Sequence, residues 1–357
     1  MKLTKIFIRG LILLILLMHM AQVCWADSKF MPYYFITQTF RPNDPQSAAL
    51  GLTGVAYRNG VAASLTNPAG LAYLRSMTIE YSHIPSHGLS FWAENDEFFN
   101  QEAFAMGIPV TKKLAVGFHY FNLNYGKVGV VDVEGNLLKE SQSGLRQLQL
   151  SFAQKLNFTH GEEFAFGANA KYLSEYFPFL HRDAYLLDLG LRYIKSYSRY
   201  WISVGLSVNN LGTDLKYNQD NSSNKEELVK LTRLGFAIGT KSDIESKRND
   251  NIDFIFSTEY QQNFANAKYY SWQHVGLGLE INLFKHLFGR LGYNFDLEKK
   301  DNDEKYDGFT YGMGFETPTK VKIIIPVRIS CSYGRGIKYG AMDVNIVSVS
   351  LGVDLKN

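Results

Sequence analysis

The sequence predicts an all-β protein: one transmembrane antiparallel β-barrel of about fourteen strands, with a small N-terminal plug inside its lumen. Three observations predict it. From Met77 onward, short segments alternate apolar residues with small or polar ones at period two. The connections between these segments alternate short and long. Ahead of them lies Gly51–Leu71, GLTGVAYRNGVAASLTNPAGL, a run of small residues without a strand period.

The bulk numbers narrow the classes. A formal net charge of +3 over 357 residues gives no electrostatic footprint for nucleic acid, so none is expected as a partner. A helical membrane bundle needs several apolar runs of ~20 residues, which the chain lacks. The aromatic excess is Phe and Tyr, 25 and 22 against 4 Trp, as half-buried strands favour.

Residues 1–26 read as a secretory signal. Lys2, Lys5 and Arg9 precede a short apolar core, and Cys24-Trp25-Ala26 places cleavage after Ala26. Gln22 and Val23 fit a lipoprotein signal poorly. Cleavage leaves Cys331 alone, which excludes a disulfide scaffold. Residues 27–75 form the expected plug. Its first part, 27–50, has three prolines and no period.

Residues 76–357 form the expected barrel. The alternation is clearest in 148–153, 164–172, 186–193, 202–209 and 275–283. Strands are expected near 77–84, 102–110, 113–125, 144–157, 162–176, 184–196, 200–212, 228–241, 251–262, 272–284, 287–298, 308–317, 320–333 and 342–355. Lipid offers no partners for backbone N–H and C=O groups, so such a sheet must close. The more apolar side of each strand then faces lipid, and the small or polar side faces the lumen.

Short connections fall at Val110–Lys113, Asn157–Glu162, Ser196–Tyr200, Phe284–Leu287 and Thr317–Lys320. Long polar ones alternate with them, and Lys241–Asp250 is a longer loop on the short side. This is the asymmetry of a bacterial outer-membrane barrel, with outer-membrane lipid around it and both barrel ends periplasmic.

Strand parity points Lys171, Asp188, Arg192, Asp253, Glu259, Glu280 and Arg328 inward. Both signs occur, so they are expected to pair across the lumen or with the plug; a polar gate on a ligand path is the other reading. No catalytic residue is expected, because HExxH, GxSxG and Walker patterns are missing. No metal or cofactor is expected either. His83 and His87 flank Pro85 at a loop start rather than sharing a helix face.

Asn67-Pro68-Ala69-Gly70 sits where the plug meets the first strand: Asn before a rigid Pro, then two small residues. Preceded by GLTGVAY and VAAS, and continuing as NPAGLA into a strand barrel, it resembles the plug of the FadL-like outer-membrane family. It looks closest to the PorV/PorQ branch, which includes uncharacterised spirochaete members. Leu114-Ala-Val-Gly-Phe-His-Tyr also resembles that branch. Relatives commonly carry acidic residues before the motif, where this chain has Arg58-Asn59-Gly60, and many end on an aromatic, where this chain has Asn357. The resemblance implies transport of a long-chain fatty acid or other hydrophobic small molecule, with a pocket at the plug and release through the barrel wall. Its other branch implies a type IX secretion accessory that binds secreted protein domains. A structural barrel without substrate is the third alternative. Transport predicts an apolar pocket bounded by plug and inner wall, whereas a secretion accessory predicts an open lumen.

Overall fold

The computed structural model describes residues 44–353, apart from 86–99, 133–135, 159–160, 179, 218–224, 227, 241–251, 265–272, 298–306, 318–320, 323–325 and 337–344. The expected signal sequence, residues 27–43 of the expected plug, His87 and Asn357 lie outside the described residues.

Seventeen strand segments form one antiparallel sheet. The first seven are β1 (Met77–Pro85), β2 (Asn100–Pro109), β3 (Leu114–Val131), β4 (Leu137–Asn157), β5 (Glu162–Phe177), β6 (Leu180–Ser196) and β7 (Tyr200–Gly212). Two short pieces follow, β8 (Leu215–Tyr217) and β9 (Lys225–Glu226). Then come β10 (Leu231–Thr240), β11 (Ile252–Asn263), β12 (Gln273–Leu283), β13 (Leu287–Asp296) and β14 (Gly308–Glu316). The last are β15 (Val321–Lys322), β16 (Pro326–Arg335) and β17 (Asn345–Val353). Setting aside the short β8, β9 and β15 leaves the fourteen long strands that the alternation predicts. They close: β1 pairs with β2 and, from Met77↔Val353 to His83↔Val347, with β17. Closure satisfies both edges, which is what a sheet in lipid requires.

Most long strands carry their period-two pattern into burial. In β10, Leu231, Arg233, Gly235, Ala237 and Gly239 are buried, whereas Leu234, Phe236 and Ile238 are exposed. Outward residues join across strands into an apolar belt. Leu191, Leu206 and Leu234 are successive register partners, as are Phe256, Leu279, Leu291 and Tyr311. An apolar surface continuous around the molecule is far beyond the patch a soluble monomer leaves in water. Lipid is the solvent that matches it.

The short connections gather at one end as tight turns. Val110 N donates to Leu114 O, Phe158 N to Glu162 O, and Tyr197 N to Tyr200 O. Phe284 and Lys285, in the three-residue connection between Leu283 and Leu287, both have positive φ, 56° and 61°, without glycine or asparagine.

Three differences from the sequence reading have local causes. The β3–β4 hairpin runs past the expected ends, beyond a register shift at Asn124/Gly126. Its tip is tied by Asn136 N and Nδ2, which donate to the Asp132 carboxylate. β10 starts at Leu231 rather than 228, because Leu228 and Val229 turn into the barrel mouth. The β7–β10 connection, expected as one of the long polar ones, carries the β8–β9 hairpin, and β8 adds to β6 at Arg182↔Tyr217.

Candidate functional site: the lumen around an inner segment

Asp44–Ser76 lies against the inner wall. Asp44 caps helix α1 (Pro45–Ala49), accepting from Gln46 N at 3.3 Å and Ser47 N at 3.0 Å. Two 3-10 turns follow, Ala62–Leu65 and Pro68–Tyr73. The second begins on the motif singled out in the sequence, and each motif residue has a local task. Asn67 Oδ1 accepts from Ala69 N at 3.0 Å, while Nδ2 donates to Val55 O at 2.8 Å and to Leu191 O on β6 at 3.0 Å. Pro68 opens the turn, where its missing N–H costs nothing. Ala69 is fully buried. A Cβ at Gly70 would stand 2.6 Å from Arg58 O and 2.7 Å from Ala63 Cβ. Asn67→Ala deletes three hydrogen bonds and is expected to lower stability by about 1–2 kcal/mol, read as the unfolding temperature in detergent. An unchanged transition would remove the motif's positioning role.

The segment travels around the wall rather than along the axis. Inward glycines mark its route. A Cβ at Gly334 of β16 would overlap Pro45 O, and one at Gly312 of β14 would stand 2.6 Å from Ala49 Cβ. At Gly292 of β13 it would overlap Gly51 N, at Gly205 of β7 Val55 O, at Gly190 of β6 Asn67 Oδ1, and at Gly167 of β5 the Pro68 carbonyl carbon. A track without side chains thus lets the segment's backbone approach the wall directly. The sequence shows these glycines at inward parity, but nothing in it says what they face.

The seven expected lumen residues all lie on the inward side, in separate groups. Lys171 Nζ pairs with Asp188 at 2.6 Å and donates to Asn210 Oδ1 at 3.0 Å. Glu259 Oε2 accepts from Gly54 N at 2.7 Å and Val55 N at 2.9 Å, while Oε1 accepts from Arg233 at 3.2 Å. Glu280 Oε2 accepts from Arg290 Nε at 2.7 Å and from Gln46 Nε2 at 2.9 Å. Arg192 Nη1 donates to Arg58 O at 3.0 Å and Asn59 Oδ1 at 2.7 Å, and its guanidinium stacks over the Tyr73 ring. Arg328 pairs with Glu316 at 3.1 Å, and Asp253 lines the short-turn chamber. Glu259, Glu280 and Arg192 therefore hold the inner segment. The pairs between wall residues join neighbouring strands and do not cross the lumen. A barrel of this strand number is too wide for two side chains to meet across it.

Arg58 closes the segment on itself. Its Nε and Nη2 donate to the Asp44 carboxylate at 3.0 and 2.7 Å. Burial pushes the Asp44 carboxyl up, but the Arg58 charge and the Arg58 and Ser47 hydrogen bonds outweigh it and hold the group below its ordinary range. Burial works against the Arg58 charge too, and Asp44 overcomes it, so the guanidinium is held more firmly protonated. Burial pushes the Tyr73 phenol up to about 12.

The lumen is layered on either side of the segment. Toward the short turns it opens into a cavity of about 1180 Å³, lined by charged and hydroxyl groups such as Glu80, Glu280, Arg290, Ser332 and Ser348. Toward the long connections the first inward positions are polar: His119, Gln149, Lys171, Asp188, Asn209 and Arg233, all buried. One or two inward steps further out, about 7 Å each, stands an apolar cluster. It contains Ile84, Phe121, Leu123, Leu145, Leu173, Leu186, Leu231 and Ile346 from the wall. Leu215, Leu228 and Val229 of the β7–β10 connection join it, as do Ala48 and Leu52 of the inner segment. This corrects the expectation that the lumen face is small or polar: at the mouth both faces of the strands are apolar.

No family model matches the sequence, and no curated protein matches it. Solved structures share the architecture. The monoaromatic hydrocarbon channel CymD matches with a TM-score of 0.53 at 13% identity, over 88% of this chain and 97% of that one. The toluene transporter TbuX of Ralstonia pickettii gives 0.51 at 13%, over 87% and 97%. The P. putida toluene transporter TodX gives 0.50 at 12%, over 88% and 98%. At such identities the likeness is one of fold: this chain is a closed fourteen-stranded antiparallel barrel of the architecture seen in those hydrocarbon channels.

Proposed function

We propose that the protein is an outer-membrane channel that carries a hydrophobic small molecule, a long-chain fatty acid being one candidate class. The observation that carries this reading is the apolar cluster inside the mouth, bounded by Ala48 and Leu52 of the inner segment and by the inner wall. Transport of an apolar ligand calls for such a surface, whereas a secretion accessory calls for an open lumen. The exterior apolar belt and the fold likeness to toluene and monoaromatic channels support the same reading. In this reading residues 27–75 act as the plug, and the short-turn end faces the periplasm. The charged chamber below the segment is a poor place for an apolar ligand, which fits release through the wall. No chemical step on the ligand is part of the proposal.

Native mass spectrometry of protein extracted from its own membrane in mild detergent tests the reading. A co-purifying small apolar or acyl-chain mass is expected. A stoichiometric co-purifying polypeptide with no small ligand would overturn it in favour of the secretion-accessory role.

A further inference from the structure

We infer that the transported molecule is an amphiphile with a neutral hydrogen-bonding head, such as an alcohol, ester or amide, rather than a bare hydrocarbon or an ionised acid. This rests on the transport reading above and specifies its substrate class. The apolar cluster does not end on more apolar surface. Toward the inner segment it meets His119, Gln149, Asn169, Asn209 and Gln261, each buried and each on an inward strand position. Each has a buried atom without a hydrogen-bond partner among the described residues: His119 Nδ1, Gln149 Oε1, Asn169 Oδ1, Asn209 Nδ2 and Gln261 Oε1. Both donors and acceptors are in this set. Buried polar atoms are ordinarily satisfied, so a belt of unsatisfied ones beside an apolar cluster marks where a polar group belongs.

The charges of the same belt set the sign of that group. Lys171 is held by Asp188 at 2.6 Å and Arg233 by Glu259 at 3.2 Å. A carboxylate head would have to displace a protein carboxylate from one of these cations, or be buried without a counter-charge. A hydrocarbon would leave the polar atoms as they are and gain nothing from them. A neutral head can both donate and accept at these atoms, with the apolar cluster of Phe121, Leu145, Leu173 and Leu186 next to them along the strands.

The test compares dodecane, dodecanol and ionised dodecanoate, matched in chain length, competing for the protein in lipid nanodiscs. Retained ligand is measured by mass spectrometry, with empty nanodiscs subtracted. Dodecanol is expected to be retained about tenfold over the other two. Gln149→Leu and Asn209→Leu are expected to erase its advantage over dodecane. If either variant fails to fold, judged by heat-modifiable gel mobility, the wild-type order alone decides. Equal retention of dodecane and dodecanol, or strongest retention of dodecanoate, overturns the head-group assignment and leaves the transport reading standing. Retention of none above empty nanodiscs overturns both.

Discussion

Gly190→Val is expected to dislodge the inner segment and cost about 4 kcal/mol. A Cβ at this position would overlap Asn67 Oδ1 and would stand 2.8 Å from Pro68 Cδ. Neither atom can yield by a simple rotation. Asn67 is fixed by its bonds to Ala69, Val55 and Leu191, and Pro68 by its ring. The cost combines overpacking, about 1–3 kcal/mol, with the loss of buried hydrogen bonds at about 1 kcal/mol each. Gly289 is the control: it lies on the outward side of β13, and a Cβ there meets nothing within 4 Å. Gly289→Val is expected to stay within about 0.5 kcal/mol of the parent. Thermal unfolding in detergent reads the stabilities, and single-channel conductance in planar bilayers reads whether the lumen has opened. Equal behaviour of the two variants would show that the track places no constraint on the segment.

Arg58→Met is expected to be comparably severe, about 3–5 kcal/mol, because it leaves the Asp44 carboxylate buried without its counter-charge. Asp44→Ala should add loss of the α1 cap to loss of the pair. The double variant Asp44→Ala/Arg58→Met is expected to be more stable than the sum of the two losses, since neither charge is then stranded. The pH dependence has a definite sign. The folded Asp44 carboxyl is held below its unfolded value, so its contribution is fully present above about pH 4, the ordinary carboxylate range. That contribution is lost as pH falls through the lower folded value. Unfolding temperatures should therefore drop on acidification below about pH 4, and Asp44→Asn should flatten that part of the profile. An unchanged profile in Asp44→Asn would assign the acid sensitivity to other carboxylates.

The barrel was legible because its two signals are local. Period-two alternation fixes a strand and its inward face, and tight turns fix where it ends, so the strand from 200 to 212 is met residue for residue. Inward parity likewise pointed to Lys171, Asp188, Glu259 and Glu280, which are buried, but not to their partners. The inner segment was less legible for a physical reason. Its hold on the wall runs through backbone carbonyls, N–H groups and the absence of Cβ atoms, none of which leaves a periodic side-chain pattern. Asp44 and Arg58 stand fourteen positions apart in an irregular stretch, so no period links them. The apolar mouth was missed because alternation was read as apolar-out along whole strands. Consecutive apolar pairs such as Leu186-Leu187 and Tyr120-Phe121 were the available sign that both faces are apolar there.

The route of the inner segment also constrains the order in which this barrel can be built. Pro45 meets β16, Ala49 β14, Val55 β7, Asn67 β6 and Pro68 β5, before the chain turns into β1 at Met77. The segment thus makes a circuit of the interior and leaves it beside the seam where β1 pairs with β17. A chain laid around the inside of a hoop cannot be fed in once the hoop is shut, least of all where glycine backbone leaves no clearance. The circuit favours closing the wall around a segment already in place over feeding it into a shut barrel, and the seam of β1 and β17 is then expected to pair last. The N-terminal stretch is in this sense the mould of the barrel.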